Sequence, residues 1–179
     1  MAKYISMLRG INVSGHKKIK MVELRDHYTD LGFENVTSYI QSGNLFFDSQ
    51  IHDIPTLVSM LETMIYEKYR FEVPVIIRTA DDLEKVIAIN PLAHVPEEKF
   101  NVYIVTFLAE TPTADATAQV PATGRAGEET VIIGREVYTY YANGSGRSKM
   151  TTNYFEKKLG VAATARNWRS VLKLHQLAQ

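Results

Sequence analysis

The run Leu8-Arg-Gly-Ile-Asn-Val-Ser-Gly-His-Lys-Lys-Ile-Lys-Met21 decides how this chain is read. It joins an apolar opening segment, residues 3–8, to a helical pattern that begins at Met21. It carries Arg9, Lys17, Lys18 and Lys20 and no acid. Residues 3–8 read as a mostly buried strand. Val22, Leu24, Tyr28 and Leu31 follow near helical spacing, with Gly32 as the stop. A glycine-containing loop between a strand and a helix N-terminus is predicted to expose backbone N–H groups, and its lysines add charge. That geometry suits a phosphate, a carboxylate or a nucleic-acid backbone.

Working outward, residues 36–40 and 44–48 read as two strands joined through the turn-like Gln41-Ser42-Gly43. Residues 54–69 form an amphipathic pattern with Pro55 in the first turn and Leu57, Leu61, Met64, Ile65 and Tyr69 on one face. Residues 71–78 read as a strand. Residues 81–88 read as a short helix entered through Thr79, with Asp81 and Asp82 at its positive end. Asn90-Pro91 marks a boundary, giving halves at residues 1–90 and 91–179. The second half opens with a buried strand, residues 100–108, then a short helix or loop at Thr111-Pro112 and an irregular stretch at 121–127. A hairpin at 130–133 and 136–141 turns at Gly134-Arg135. Two closing helices are predicted at 149–159 and 165–177, capped by Ser148 and Thr164, the first stopped at Gly160. The order is β-α-β-β-α-β, then β-α-β-β-α with a helix in place of the last strand. This predicts an α+β protein of two ferredoxin-like halves (split βαβ, α-β plait) packed together, ending in a C-terminal helical pair. Each sheet would carry helices on one face and leave the other to the partner half.

Composition narrows the function classes. The 179 residues are 45% apolar and 22% charged, as in a soluble globular protein. No apolar run approaches the roughly 20 residues of a membrane span, and no signal peptide is read at the start. There is no cysteine, hence no disulfide, thiolate metal site or cysteine nucleophile. A cytoplasmic location is expected, with no membrane partner. The formal net charge of zero hides an asymmetry. Lys3, Arg9, Lys17, Lys18 and Lys20 put the first 22 residues at +5. Arg147, Lys149, Lys157, Lys158, Arg166, Arg169 and Lys173, against Glu156 alone, put residues 144–179 at +6 and leave the middle at −11. If the ends meet, they make one basic face that attracts an anion.

Gly10 and Gly15 have the spacing of a phosphate-binding P-loop, but His16 stands where the lysine belongs and Lys18 where a Ser or Thr would hold magnesium. Gln41, Ser42 and Asn44 gather uncharged hydrogen-bonding groups at a strand junction, though Ser, Gly and Asn also simply favour turns. Ser148, Lys149, Thr152 and Asn153 surround one predicted helix N-terminus, and Arg166 and Asn167 the next. Trp168 shares a helical stripe with Val171, Leu172 and His175, the pattern of core packing. Helix, Gly160, helix invites a helix-turn-helix reading, but Glu156, Arg166 and Arg169 fall where small or apolar residues belong. The five histidines show no ligand spacing, so neither metal nor cofactor is expected. No nucleophile elbow or carboxylate pair is read.

Leu8-Arg-Gly-Ile-Asn-Val13, Lys20-Met21, Leu24-Arg25, Leu31-Gly-Phe33, Tyr39-Ile-Gln-Ser-Gly-Asn44, Ser148-Lys-Met-Thr151, Phe155-Glu-Lys-Lys-Leu-Gly160 and Thr164-Ala-Arg-Asn-Trp168 together resemble the bacterial family called domain of unknown function 1697. The family loop often reads Gly-Gly-Lys where this chain has Ser14-Gly15-His16. The resemblance implies a compact cytoplasmic protein of ferredoxin-like α+β units, and no defined chemistry. Its recurring polar residues are Arg9, Asn12, Lys20, Gln41, Ser42, Asn44, Ser148, Lys149, Asn153, Arg166 and Asn167. They are expected to line a cleft between the halves that binds a small phosphate- or nucleotide-like anion. An RNA-binding module is the alternative, disfavoured by zero net charge and by the lack of a Gly-Phe-Gly-Phe run. A regulatory interaction protein without catalysis is a further one.

Overall fold

Strand β1 (Ala2–Leu8) is the central strand of the first sheet in the computed structural model, which describes residues 1–179. It pairs antiparallel with β3 (Asn44–Ser49) on one edge and with β4 (Val75–Arg78) on the other. β2 (Glu34–Tyr39) pairs with β3, giving the order β2-β3-β1-β4. Strand alternation sends Tyr4 and Leu8 to one face, with Leu45, Phe47, Val75 and Ile77. Against that face pack Leu24 and Tyr28 of α1 (Met21–Asp30), and Leu57, Leu61, Met64 and Ile65 of α2 (Ile54–Tyr69). The Phe33 and Phe47 rings lie 4.6 Å apart at the centre of this core. The hydroxyls of Ser6 and Tyr28 meet at 2.9 Å, which satisfies both polar groups in an otherwise apolar layer. Burial pushes the Tyr28 hydroxyl well above its ordinary pKa, so it stays neutral there. The Asp53 carboxylate caps α2 by accepting the Thr56 N–H at 2.9 Å, and Arg70 closes the helix in the left-handed conformation.

The second sheet repeats the pattern. β5 (Tyr103–Leu108) lies between β7 (Glu136–Tyr141) and β8 (Ala163–Asn167), and β6 (Glu128–Ile133) pairs with β7, in the order β6-β7-β5-β8. The helices of the rest of the chain are α3 (Ala80–Ile89), α4 (Ala114–Ala118), α5 (Thr152–Leu159) and α6 (Trp168–Ala178). Phe155 and Leu159 of α5 pack with Leu108, Val137 and Tyr141. Trp168 is 2% exposed and stacks on Tyr103 with 4.7 Å between ring centroids. Both halves are thus split βαβ arrangements in an α+β protein. By Cα proximity the chain forms two units, residues 1–83 with 174–179, and residues 84–173.

The closing segment departs from the sequence reading. The C-terminal pair of helices is present, but β8 separates them, and α6 begins at Trp168 instead of residue 165. Ala163 and Ala165 favour helix intrinsically, but pairing from Leu108↔Ala163 to Ile104↔Asn167 overrides that preference. Thr164 is a buried strand residue and caps nothing. The side-chain oxygen of Asn167 accepts the Ser170 N–H at 2.8 Å and starts α6 instead. Likewise α5 starts at Thr152, capped by Thr151, whose hydroxyl accepts the Tyr154 N–H at 3.3 Å. Gly160 stops it as expected, at φ +70°. The Glu156 carboxylate accepts the Ala163 N–H at 2.9 Å and leads the chain into β8.

Gly43 sits in the β2–β3 turn at φ +82°, where a Cβ would lie 2.7 Å from Ile11 Cδ1 and 2.8 Å from Leu8 Cβ. Gly32, at φ +86°, has no heavy atom within 4 Å of that position. G43A is expected to lose about 2–5 kcal/mol, a left-handed penalty of roughly 1–2 plus overpacking of roughly 1–3. G32A is expected to lose only the first of these. Urea denaturation of both variants measures the difference, and equal losses would contradict the close approach at Gly43.

Candidate functional site

The basic loop closes on itself over part of its length. Residues 12–17 fold back as a small hairpin, in which the Asn12 N–H donates to the Lys17 carbonyl at 3.1 Å and the His16 N–H to the Val13 carbonyl at 2.9 Å. Ser14 and Gly15, at φ 49° and 78°, are the paired left-handed residues of such a turn. The Asn12 and His16 N–H groups are thus used inside the loop. Lys17 donates to the Glu72 carbonyl at 2.6 Å with its ammonium 6.0 Å from the Phe71 ring centre. Lys20 is exposed and pairs with Glu23 at 3.1 Å.

Arg9, Asn12, Lys20, Gln41, Ser42 and Asn44 gather at one end of the first sheet, where β1 leads into the loop and β2 turns into β3. Asn12 ties the two together. Its amide donates to the carbonyls of Ile19 at 3.0 Å and Gln41 at 2.9 Å, and its oxygen accepts the Ile19 N–H at 2.9 Å. The buried Asn44 donates to the Tyr39 carbonyl at 3.1 Å and the Ser42 hydroxyl at 3.2 Å, which closes the β2–β3 turn. Arg9 is half-buried, and its backbone N–H donates to the Pro74 carbonyl at 3.0 Å. Gln41 is exposed.

In the second unit the strands of the β6–β7 hairpin carry two loops, residues 121–127 before β6 and 142–150 after β7. Between them is a cavity of about 330 Å³. Arg125, Arg147 and Lys149 line it as cations, and Pro121, Met150 and Tyr154 supply apolar surface. Glu128 is the acid in its lining and is 3% exposed. Its carboxylate accepts from the Ser148 hydroxyl and from the Ala126 N–H at 2.9 Å. The Ser148 bond outweighs the opposing effect of burial and holds this carboxyl below its ordinary pKa. Ser148 also accepts the Met150 N–H at 3.0 Å, and the Tyr141 hydroxyl donates to the Met150 carbonyl at 2.5 Å. Glu128, Ser148 and Tyr141 therefore hold both loops in place. A Cβ on Gly124 would meet the Glu128 carboxylate and stand 2.6 Å from Met150 Sδ, so any larger residue there makes these side chains shift.

The remaining sequence candidates have the following places. Asn153 is exposed in the first turn of α5. Asn167 caps α6. Arg166 is 7% exposed and donates to the Thr164 hydroxyl at 2.9 Å and the Ala165 carbonyl at 2.8 Å. Burial lowers its pKa to about 10, so it is still a cation at neutral pH. Sequence reasoning missed Arg125 and Glu128. Residues 121–127 read only as irregular, and the glycine pair around Arg125 was the available signal.

The family model described as "Protein of unknown function (DUF1697)" matches residues 1–138. The chain belongs to this family. The match includes Arg125 and Glu128 and ends within β7, before Arg147, Lys149 and Tyr154. The conserved bacterial protein SP0830 from Streptococcus pneumoniae is a similar solved structure, with 27% identity and a TM-score of 0.73 over 99% of this chain and 98% of that one. The search of curated proteins found no match. No helix is long and apolar enough to cross a membrane.

The lowered Glu128 pKa has a direction in pH. Between its ordinary value of 4.5 and its lower folded value, the unfolded chain binds more protons. The stability this carboxylate contributes is present above that window and is lost as pH falls through it. E128Q and S148A are expected to show a shallower fall in Tm than the parent chain between about pH 5 and 3. Parallel curves for all three would remove this role from the Glu128–Ser148 bond.

Proposed function

We propose that this protein binds a small anionic ligand of the phosphate or nucleotide class, held by the cations of the second unit's cavity. The observation that carries this reading is the lining itself. Arg125, Arg147 and Lys149 face one cavity, and its one acid, Glu128, is already bonded to Ser148 and Ala126. A phosphoryl group is the natural partner, because guanidinium groups bind its oxygens through paired, charge-assisted hydrogen bonds. The cavity's volume, about 330 Å³, is at the lower end of the usual range for small-molecule sites, roughly 300–1,000 Å³. Lys149, from the sequence-derived set, belongs to this site directly, and Ser148 positions it.

Inorganic phosphate and adenosine 5′-monophosphate are expected to raise the Tm of the full chain. Ligand at 100 times its dissociation constant stabilises by about 2.7 kcal/mol. The double variant R125E/R147E is expected to abolish the shift. Arg166 is unsuited to such a test, because reversing a buried, hydrogen-bonded charge destabilises the fold itself. K18E/K20E serves as the comparison, and loss of the shift in that variant alone would move the site to the first unit. No shift with any anion would overturn the proposal. Affinity that rises with oligonucleotide length and falls steeply with salt would point to a nucleic-acid strand instead.

A further inference from the structure

A second cavity, of about 490 Å³, shares Arg125, Ala126 and Arg147 with the first and is otherwise lined by Gly127, Asn143, Gly144 and Gly146. The two cavities differ in chemistry. The first offers a thioether, a phenol ring and a proline ring. The second offers backbone and one amide, with Gly127 at φ +79° and Gly144 at φ +81° allowing a ligand close to the main chain. The two arginines stand where the lobes meet.

Resting on the proposed anion binding, we infer that the ligand is a nucleoside phosphate, with its base against Met150 and Tyr154, its phosphoryl group between Arg125 and Arg147, and the glycine-lined lobe open to further polar groups. A bare phosphate leaves the apolar lobe unused. A sugar phosphate places polar hydroxyls against Met150 and Tyr154 and gains nothing there. A flat heteroaromatic ring matches both side chains, since aromatic faces stack on tyrosine and sulfur contacts ring edges. The lobe is also held in advance of binding. Tyr141 fixes the Met150 backbone, and the Asn143 amide donates to the Ala126 carbonyl at 2.9 Å, joining the two loops.

The test compares adenosine 5′-monophosphate, ribose 5-phosphate and inorganic phosphate by isothermal titration calorimetry on the full chain. The nucleotide is expected to bind at least tenfold more tightly than either of the others. Y154A is expected to remove that margin, read as the ratio of nucleotide to ribose 5-phosphate affinity, and Y154F to keep it. Saturation-transfer NMR on the unmodified chain gives a readout that needs no variant to fold, with the strongest transfer expected at the base protons. Equal affinity for the nucleotide and ribose 5-phosphate, still dependent on Arg125 and Arg147, would overturn this inference and leave anion binding standing. Strongest transfer at the ribose protons would overturn it as well. Absence of binding by all three ligands would overturn both.

Discussion

A central β-strand must find hydrogen-bond partners along both edges, and this requirement organises both halves of the chain. β1 meets it with β3 and β4, and β5 meets it with β7 and β8. Tyr103, Val105, Phe107 and Leu108 are almost fully buried, so β5 has no access to water for unpaired N–H and C=O groups. Something must lie along its second edge. Residues 163–167 do so, and the strand order of the second sheet repeats that of the first as a result.

The parts of the fold legible in the sequence are those whose residues state their own preference. The helix spanning Ile54–Tyr69 has an apolar stripe, a proline in its first turn and Asp53 before it, so its limits follow from local chemistry. The hairpin of β6 and β7 shows its turn at Gly134-Arg135. Ala163-Thr-Ala-Arg-Asn167 shows nothing of the kind, being specified by β5 and not by its own side chains. The same reasoning explains Arg166, whose type and position near a helix start suggested a ligand contact. The strand instead buries it, with its guanidinium on neighbouring carbonyl and hydroxyl oxygens. Arg78 occupies the corresponding strand of the first half, is also buried, and donates to the Ile77 carbonyl at 2.9 Å just as Arg166 does to Ala165.

The candidate site was legible in part for a related reason. Ser148 and Lys149 stood out within a polar motif, but what they face depends on residues about twenty positions earlier. Glu128 and Arg125 are brought to them by the pairing of β6 with β7, with Glu128 opposite Tyr141. A buried carboxylate requires donors, and Glu128 obtains them from Ser148 and Ala126. That demand, more than the cations, sets the shape of the two loops, because the acid anchors both from below.

The hairpin that carries these loops is closed at its far end, and its register runs unbroken from Glu128↔Tyr141 to Ile133↔Glu136. The pocket walls hang from the open end. The wall before β6 is tied back to that strand, with the Thr130 N–H on the Ala122 carbonyl at 2.7 Å, whereas residues can be gained or lost in the wall after β7 while the β6–β7 ladder stays as it is. Length changes in that wall alter the volume of the cavity and leave the strands beneath it untouched.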